Sequence, residues 1–218
     1  MDDASQPSKA QLLDEVPTSF DTTKLRFDGL RGDASRHLTR AELEAGIAAL
    51  PPAPKDEGTV DLLVARTPEF GRILHEKALL TVEGGMPQDR FAEQTKYGLD
   101  HQLATTRTDF ARLIANGQPL ELHGDNLFLS LDLSDANLPA GSRIRLGEAL
   151  VEVTPTAHNG CKKWVQRFGL AAMRLNMSAA YRPRHLRGIY LRVIEAGECR
   201  VGDAALVVNR GTAVVAAE

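Results

Sequence analysis

A strand-to-helix turn organises this chain, and its sequence is Asn159-Gly160-Cys161-Lys162-Lys163-Trp164-Val165-Gln166-Arg167-Phe168. The turn carries Cys161, one of the two cysteines in the sequence. At a helix N-terminus, the unpaired backbone N–H groups and the positive end of the helix dipole favour a thiolate. The thiolate is the form of cysteine that acts as a nucleophile or a metal ligand. We therefore take Cys161 as the candidate chemical centre and expect the rest of the chain to present an anionic ligand to it.

The charge around this turn has one sign. Between His158 and Ile194 the sequence contains no aspartate or glutamate, although the whole chain has a formal net charge of -3. A block of positive charge attracts anions. The pattern is typical of an anion site and equally typical of a solvated helix face followed by a basic loop, so both interpretations stay open. The basic residues of the window are Lys162, Lys163, Arg167, Arg174, Arg182, Arg184, Arg187 and Arg192.

The composition is that of a globular protein. Hydrophobic residues make up 43% of the 218 residues and charged residues 25%. The 18 glycines and 11 prolines indicate many turns, which favours β structure. No apolar run is long enough to span a bilayer, and residues 1–6 lack the apolar core of a secretory signal. Two cysteines make no disulfide framework and the net charge is negative, so we expect a cytoplasmic protein that binds neither membranes nor nucleic acid.

The first part of the chain is predicted to be an extension of the main domain. Residues 1 to about 20 are polar and without periodicity, which indicates a mobile arm. Thr39 and Glu42 have the spacing of a capping box, and the apolar residues that follow predict a helix that Pro51 stops. We therefore predict an N-terminal polar arm plus helical extension at residues 1–57 and the main domain at residues 58–218.

The main domain is predicted to consist mostly of strands. Thr108 is expected to cap a helix that Asn116 ends. After Cys161, an apolar stripe predicts one helix that faces the core, and the alternative for its Trp164 is a ligand platform. That stripe is Trp164, Phe168, Ala171, Ala172 and Leu175, and the predicted strands are residues 59–66, 77–82, 143–146, 149–154, 187–194 and 205–208.

Two polar features of the main domain stay open. Asp125 and Asn126 stand where a loop meets an apolar run, so they either shape a turn or point at a ligand, and their spacing favours the turn. Cys199 falls in a predicted turn, either as a small buried hydrophobe or as an exposed thiol. Because Cys161 and Cys199 are far apart in sequence, a paired-cysteine metal site is not predicted.

The order of several motifs resembles the MOSC domain family, named for the C-terminal domain of molybdenum cofactor sulfurase. Cys161 stands where this family has its hallmark cysteine, and the resemblance covers residues 58–210. The motifs that carry it are Gly58-Thr59-Val60 leading to Arg66, Gly124-Asp125-Asn126-Leu127, Leu138-Pro139-Ala140-Gly141 with Leu146-Gly147-Glu148-Ala149, Arg187-Gly188-Ile189-Tyr190-Leu191-Arg192-Val193, and Gly197 with Gly202-Asp203.

The resemblance implies a mainly β (α+β) fold: a MOSC-type β-barrel with a few peripheral helices. It also implies a pocket for the molybdenum cofactor, an anionic pterin, in which Cys161 is a molybdenum ligand or carries a persulfide. A soft thiolate suits either role, and basic side chains suit the phosphate of the cofactor. The residues that the resemblance implies in cofactor binding are Asn126, Asp125, Arg90, Lys163, Arg187 and Arg192.

The activity implied by relatives of the stand-alone bacterial type is the reduction of small N-hydroxylated compounds. The sequence has no flavin, haem or iron–sulfur motif, so the electrons would come from a separate donor protein. One alternative is a persulfide carrier or a cofactor-binding protein without turnover, and another is a barrel whose cysteine is structural. Pyridoxal phosphate, the cofactor of another domain of the full sulfurase, is not implied here.

The chain departs from the family at two places. Many relatives have Pro-Arg-x-Pro before the cysteine, where this chain has Ala157-His158-Asn159-Gly160. The Gly-Asp-Arg loop of the family is here Gln88-Asp89-Arg90. We take His158 as a second candidate catalytic residue beside Cys161, because a histidine there can raise the thiolate fraction or act as an acid. The alternative, a solvated side chain, stays equally open.

Overall fold

The computed structural model describes residues 9–14, 17, 20–93 and 98–212. Much of the predicted mobile arm of residues 1 to about 20 falls outside the described residues. Where it is described, the prediction is wrong for Lys9–Asp14, which form a helix because Leu12 is fully buried in the apolar cluster of the helices. In the described part, the ten strands are β1 (Glu57–Arg66), β2 (Arg72–His75), β3 (Lys77–Leu80), β4 (Leu103–Arg107), β5 (Leu127–Leu129), β6 (Arg143–Leu146), β7 (Ala149–Val153), β8 (Ile189–Glu195), β9 (Gly197–Arg200) and β10 (Ala204–Asn209). The five α-helices are α1 (Lys9–Asp14), α2 (Arg40–Ala49), α3 (Thr108–Ala115), α4 (Lys162–Phe168) and α5 (Leu170–Met177).

Seven strands close into a barrel, which confirms the mainly β fold predicted from the sequence. Around the barrel the order is β1, β10, β6, β7, β8, β4 and β5, and β5 pairs with β1 to complete the circle. The β4–β5 pair is parallel and the other barrel pairs are antiparallel. Strand β2 extends the sheet beyond β1, and β3 pairs with β9 in a separate two-stranded sheet.

The interior of the barrel is one apolar cluster. The β6–β7 hairpin lies where the sequence predicts it, and Gly147 in its turn has the positive φ of 57° that a tight hairpin requires. All five residues of β7 are buried, including the charged Glu152. The Glu152 carboxylate forms ion pairs with Arg143 and Arg192.

The helices surround a second apolar cluster outside the barrel. Helix α2 begins with the predicted capping box, in which the Thr39 side chain accepts from the Glu42 backbone and the Glu42 carboxylate accepts from the Thr39 backbone. Its Leu43 and Ile47 pack in the same cluster as Trp164 and Phe168. The division of the chain at residue 57 stays a prediction.

Three further local predictions are wrong. The single helix predicted after Cys161 is two helices, because Gly169 has a φ of +91° and lies against His37. Thr108 is the first residue of α3 rather than its cap, and its hydroxyl donates to Asp61. Cys199 lies in β9 and not in a turn, and it is buried, as one of its two interpretations required.

Candidate functional site

A cavity of about 320 Å³ opens beside the N-terminus of α4. This volume is in the range of pockets that bind small molecules. Its walls come from the end of β1, from β2 and the loop before it, from the residues around 90, and from the 158–167 region. The lining residues are Arg66, Phe70, Arg72, Arg90, Phe91, His101, His123, Gly124, His158, Asn159, Cys161, Lys163, Trp164, Arg167, Arg187 and Tyr190.

Cys161 lies at this cavity as the N-cap residue of α4. Its backbone is extended, with φ of -130°, and its carbonyl accepts the first hydrogen bond of the helix from Val165. The side chain makes no capping bond, and Cys161 is exposed. The fold therefore leaves this thiol accessible, whereas burial raises the pKa of the Cys199 thiol to about 12.

The lining is strongly cationic. Within the described part of the chain, six of the lining residues are arginine or lysine and none is aspartate or glutamate. Two of the cations pair with buried carboxylates that do not line the cavity. Arg66 forms a bidentate pair with Asp89, and Arg187 Nη1 lies 2.9 and 2.7 Å from the two oxygens of Asp125.

Three other cations are held by neutral acceptors. Arg72 Nε donates to the Glu121 carbonyl at 2.9 Å, Lys163 Nζ donates to the Asp28 carbonyl at 3.0 Å, and Arg167 Nε donates to the Leu30 carbonyl at 2.9 Å. Backbone carbonyls orient these groups without cancelling their charge. Burial, and then the repulsion of neighbouring arginines, lowers the pKa of Arg72 to about 10.

Burial also lowers the pKa of Lys163 and of Arg167. In both cases neighbouring arginines add to the effect, and the nearby Cys161 sulfur opposes it. Gathering these cations therefore carries an electrostatic cost in the folded chain. An anion in the cavity would offset that cost, because it favours their charged forms.

Arg187 has one buried donor that the protein does not use. Its Nε has no hydrogen-bond partner, although buried polar groups are nearly always paired. The guanidinium lies over the Trp164 ring, 5.4 Å from its centroid, and Trp164 is 1% exposed. Trp164 is therefore both a core residue, as predicted, and part of the cavity wall.

His158 lies in the same wall and is almost completely buried. Its Nε2 is 3.4 Å from Asp125 Oδ1, its Nδ1 has no partner, and its ring centroid is 4.3 Å from that of Tyr190. Burial, followed by the charges of Arg187 and Arg66, lowers its pKa well below the usual value. The imidazole is consequently neutral at pH 7.

The predicted site residues fall into three groups. Cys161, His158, Arg90, Lys163 and Arg187 all line the cavity. Asp125 and Asn126 are fully buried behind its wall. Arg192 lies outside it, where its two Nη atoms pair with Asp100 and Glu152.

The Asn126 amide is occupied by the protein itself. Its Oδ1 accepts from the Ala104 backbone at 3.1 Å, and its Nδ2 donates to the Val64 carbonyl at 3.0 Å and to Asp89 at 2.8 Å. Asn126 therefore fixes the strands below the cavity. The two side chains bond residues distant in the sequence rather than a local turn, since Asp125 pairs with Arg187.

Several lining residues carry no signal that the sequence patterns reveal. Arg66 and Tyr190 stand out in the sequence only as members of motifs, and nothing there points to Arg72, Phe70 or His101. Phe70 shows its distinction only in the structure, as a φ of +66° in a bulky residue that lines the cavity. Such strained backbone is often found at functional sites.

The described residues contain neither a cluster of three metal-ligating side chains nor a helix that could cross a membrane. No three histidine, cysteine, aspartate or glutamate side chains there are grouped so as to hold a metal ion. No helix there has the length and apolarity needed to cross a membrane.

Comparison with known proteins finds a family model that matches part of the chain. Residues 101–205 match the MOSC domain. The structure is similar to that of YiiM from Escherichia coli, with 23% sequence identity, a TM-score of 0.50 and coverage of 72% of this chain and 71% of that one. It is also similar to the YuaD protein from Bacillus subtilis, with 20% identity, a TM-score of 0.50 and coverage of 68% of this chain and 94% of that one. These two likenesses concern the fold. No curated protein sequence gives a significant match.

Proposed function

We propose that the cavity binds the molybdenum cofactor with Cys161 as the protein ligand of the metal, because residues 101–205 match the MOSC domain, a family associated with molybdenum cofactor binding. We further propose that the protein reduces small N-hydroxylated compounds. The observation that carries the proposal is the accessible Cys161 thiol in a cavity whose charged lining side chains are all cationic in the described part of the chain.

The residues of the cavity fit an anionic pterin. The unused Nε donor of Arg187 and the carbonyl-held Arg72 and Arg167 provide donors for phosphate oxygens, which arginine binds through its planar, forked N–H groups. Cys161 provides one soft sulfur ligand. When bound, the cofactor supplies a redox-active molybdenum centre.

Two protein groups hold protons near Cys161. The Asp125 carboxylate, which both Arg187 and His158 approach, favours the His158 tautomer with its proton on Nε2. Burial raises the pKa of Tyr190, whose ring packs against His158, so its phenol stays protonated at neutral pH. His158 and Tyr190 are therefore positioned to orient a small polar substrate through neutral hydrogen-bonding groups.

The proposed reduction needs a separate electron-donor protein, because the sequence carries no flavin, haem or iron–sulfur motif of its own. The proposed substrates are small, since a cavity of about 320 Å³ also has to accommodate part of the cofactor. Reconstitution with a generic chemical reductant, such as reduced viologen, would supply the electrons in place of the donor protein.

The test is molybdenum and pterin analysis of protein purified from a host that makes the cofactor. We expect about one molybdenum per chain in the wild type and in Cys199→Ala, and a large loss of molybdenum in Cys161→Ala. Cys199→Ala is the matched control, because it removes the other thiol from a position in β9. Wild-type protein without metal, or Cys161→Ala with full metal and full activity, would overturn the proposal.

A persulfide carrier is the second candidate, and the exposure of Cys161 favours it because a sulfur donor can reach the thiol. Mass spectrometry of the intact protein distinguishes the two functions. A cyanide-labile additional sulfur on Cys161, in protein without molybdenum, would support the carrier. An unmodified thiol after incubation with a persulfide donor would exclude it.

A further inference from the structure

Residues 27–33 lie along α4 and meet the two cavity cations of that helix. The Asp28 and Leu30 carbonyls accept from Lys163 Nζ and Arg167 Nε, respectively. The backbone of Gly32 makes two hydrogen bonds with the side-chain amide of Gln166. The Gly32 N–H donates to Gln166 Oε1 at 2.9 Å, and the Gly32 carbonyl accepts from Gln166 Nε2 at 3.1 Å. These residues are outside the region that matches the MOSC domain.

The contact is too close to be incidental. A Cβ added to Gly32 would lie 2.5 Å from the Cα of Arg167, so the two backbones approach as only glycine permits. Asp33 N donates to the Gln118 side chain at 2.7 Å, and the Gln118 amide donates to the Arg167 carbonyl at 3.0 Å. The segment is thus tied to the backbone of α4 as well as to its side chains.

Phe27 begins this segment, and its half-buried ring faces three cations. The distances to the ring centroid are 5.1 Å from Arg31 Cζ, 5.7 Å from Lys163 Nζ and 6.0 Å from Arg167 Cζ. A cation within about 6 Å of an aromatic face is attracted by the negative charge density of that face. The Lys163 ammonium also lies 4.2 Å from the centroid of Phe70.

We infer that Phe27 is a positioning residue for the anion site: its ring, together with the Asp28 and Leu30 carbonyls, directs Lys163 and Arg167 towards a phosphate group in the cavity. The inference rests on the proposed function and adds to it an element from the N-terminal part of the chain. An aromatic face attracts a cation without neutralising it, as a carboxylate would. Neither the ring nor the two carbonyls therefore supply a formal negative charge that would compete with the ligand.

The probe for the test is inorganic pyrophosphate, added to full-length protein purified from a host that lacks the cofactor. Trp164 is the only tryptophan of the chain and lines the cavity, so its fluorescence reports binding directly. We expect Phe27→Leu, which keeps apolar bulk but has no aromatic face, to weaken pyrophosphate binding about fivefold. Phe27→Tyr, which keeps the face, should stay within about twofold of the wild type.

The matched control is Tyr181→Leu. The Tyr181 ring lies 5.5 Å from the guanidinium carbons of Arg40 and Arg184, and none of these three residues lines the cavity. This variant loses the same kind of cation contact at another place, so we expect pyrophosphate to bind it as it binds the wild type. Thermal unfolding of all three variants verifies that each is folded at the temperature of the titration.

The outcomes separate the inference from the proposed function. Wild-type affinity in Phe27→Leu, or equal weakening in the Leu and Tyr variants, would overturn the positioning role and leave the cofactor proposal standing. If wild-type protein binds molybdenum cofactor but no pyrophosphate, the assignment of Lys163 and Arg167 to a phosphate group is wrong. Weakening in Phe27→Leu alone supports the inference.

Discussion

Arg66 and Asp89 form a bidentate ion pair behind the cavity. Arg66 Nε lies 2.9 Å from Asp89 Oδ2, Arg66 Nη2 lies 2.9 Å from Oδ1, and the Asp89 side chain is 0% exposed. The same carboxylate accepts from the backbone N–H groups of Arg66 and Phe91 and from the Asn126 amide. These bonds lower the pKa of Asp89 despite its burial, and one carboxylate ties the end of β1, the residue 90 region and the start of β5 together.

Replacing this carboxylate is expected to destabilise the protein strongly. Asp89→Asn leaves the Arg66 guanidinium buried without a counter-charge, so we expect the free energy of unfolding to fall by about 3 kcal/mol. Urea unfolding measures it. The control is Glu93→Gln at a nearby exposed carboxylate, for which we expect a change within about 0.5 kcal/mol. Equal effects of the two substitutions would contradict the structural role of the Arg66–Asp89 pair.

Gln88 occupies a position that suits glycine. It has a φ of +60°, in the place where relatives have the glycine of Gly-Asp-Arg. The left-handed conformation costs a residue with a Cβ about 1–2 kcal/mol, and glycine avoids this cost. Part of the advantage is lost, because glycine also has more conformational freedom in the unfolded chain. Gln88→Gly should therefore raise the free energy of unfolding by about 0.5 kcal/mol. Gln88→Ala should give no such gain, and a stabilisation by alanine as large as that by glycine would argue against backbone strain.

Acid is expected to destabilise the fold through a buried histidine. Burial, with the charge of Arg187 second, lowers the pKa of His123 to about 3, while an unfolded histidine titrates near 6.5. Between these values the unfolded chain binds the additional proton, so stability is complete above about pH 6.5 and falls as the pH decreases towards 3.

For His123 alone, the loss between pH 7 and pH 5 is about 2 kcal/mol. In His123→Phe we expect the difference between the two pH values to shrink by about this amount, although the variant also loses the hydrogen bond to the Ala111 carbonyl. Denaturant unfolding at both pH values gives the comparison. A wild-type protein equally stable at pH 5 and pH 7 would show that His123 does not titrate in this way.

The two cysteines should differ sharply in alkylation. Cys161 is exposed, whereas Cys199 is 0% exposed and has a pKa raised to about 12. With iodoacetamide at pH 8, we expect Cys161 to react at least about 100-fold faster, because the thiolate is the reacting species and Cys199 is both protonated and covered. Peptide mass spectrometry over a time course separates the two sites. Similar rates would favour a purely structural cysteine at position 161.

Local patterns made part of the fold predictable. The capping box of Thr39 and Glu42 was predictable because a helix cap needs only residues three apart. The position of Cys161 before α4 was predictable for a similar reason, since the apolar spacing after it is helical. The break between α4 and α5 at Gly169 was not predictable, because the apolar stripe continues across that residue. Gly169 contacts His37, which is distant in the sequence.

The cavity depended on tertiary contacts that a single sequence does not display. Tyr190 and Arg192 are two residues apart in β8, so their side chains point to the same face of the strand. Two residues along a strand are about 7 Å apart, however, so Tyr190 lines the cavity while Arg192 pairs with Glu152 outside it. Arg72 belongs to the site only because β2 folds back on β1. The basic window did identify Lys163, Arg167 and Arg187.

The closure of the barrel by β1 and β10 has a consequence for synthesis on the ribosome. Leu206 pairs with Glu57, so the barrel closes between strands from opposite ends of the domain. At typical elongation rates of about 5–20 residues per second, β1 waits on the order of ten seconds for this partner. During that time β2 can cover the end of β1, but residues 57–59 at its start keep an open edge, which can pair with other nascent chains. Efficient production of this protein should therefore depend on chaperones that shield β1 until β10 has been translated.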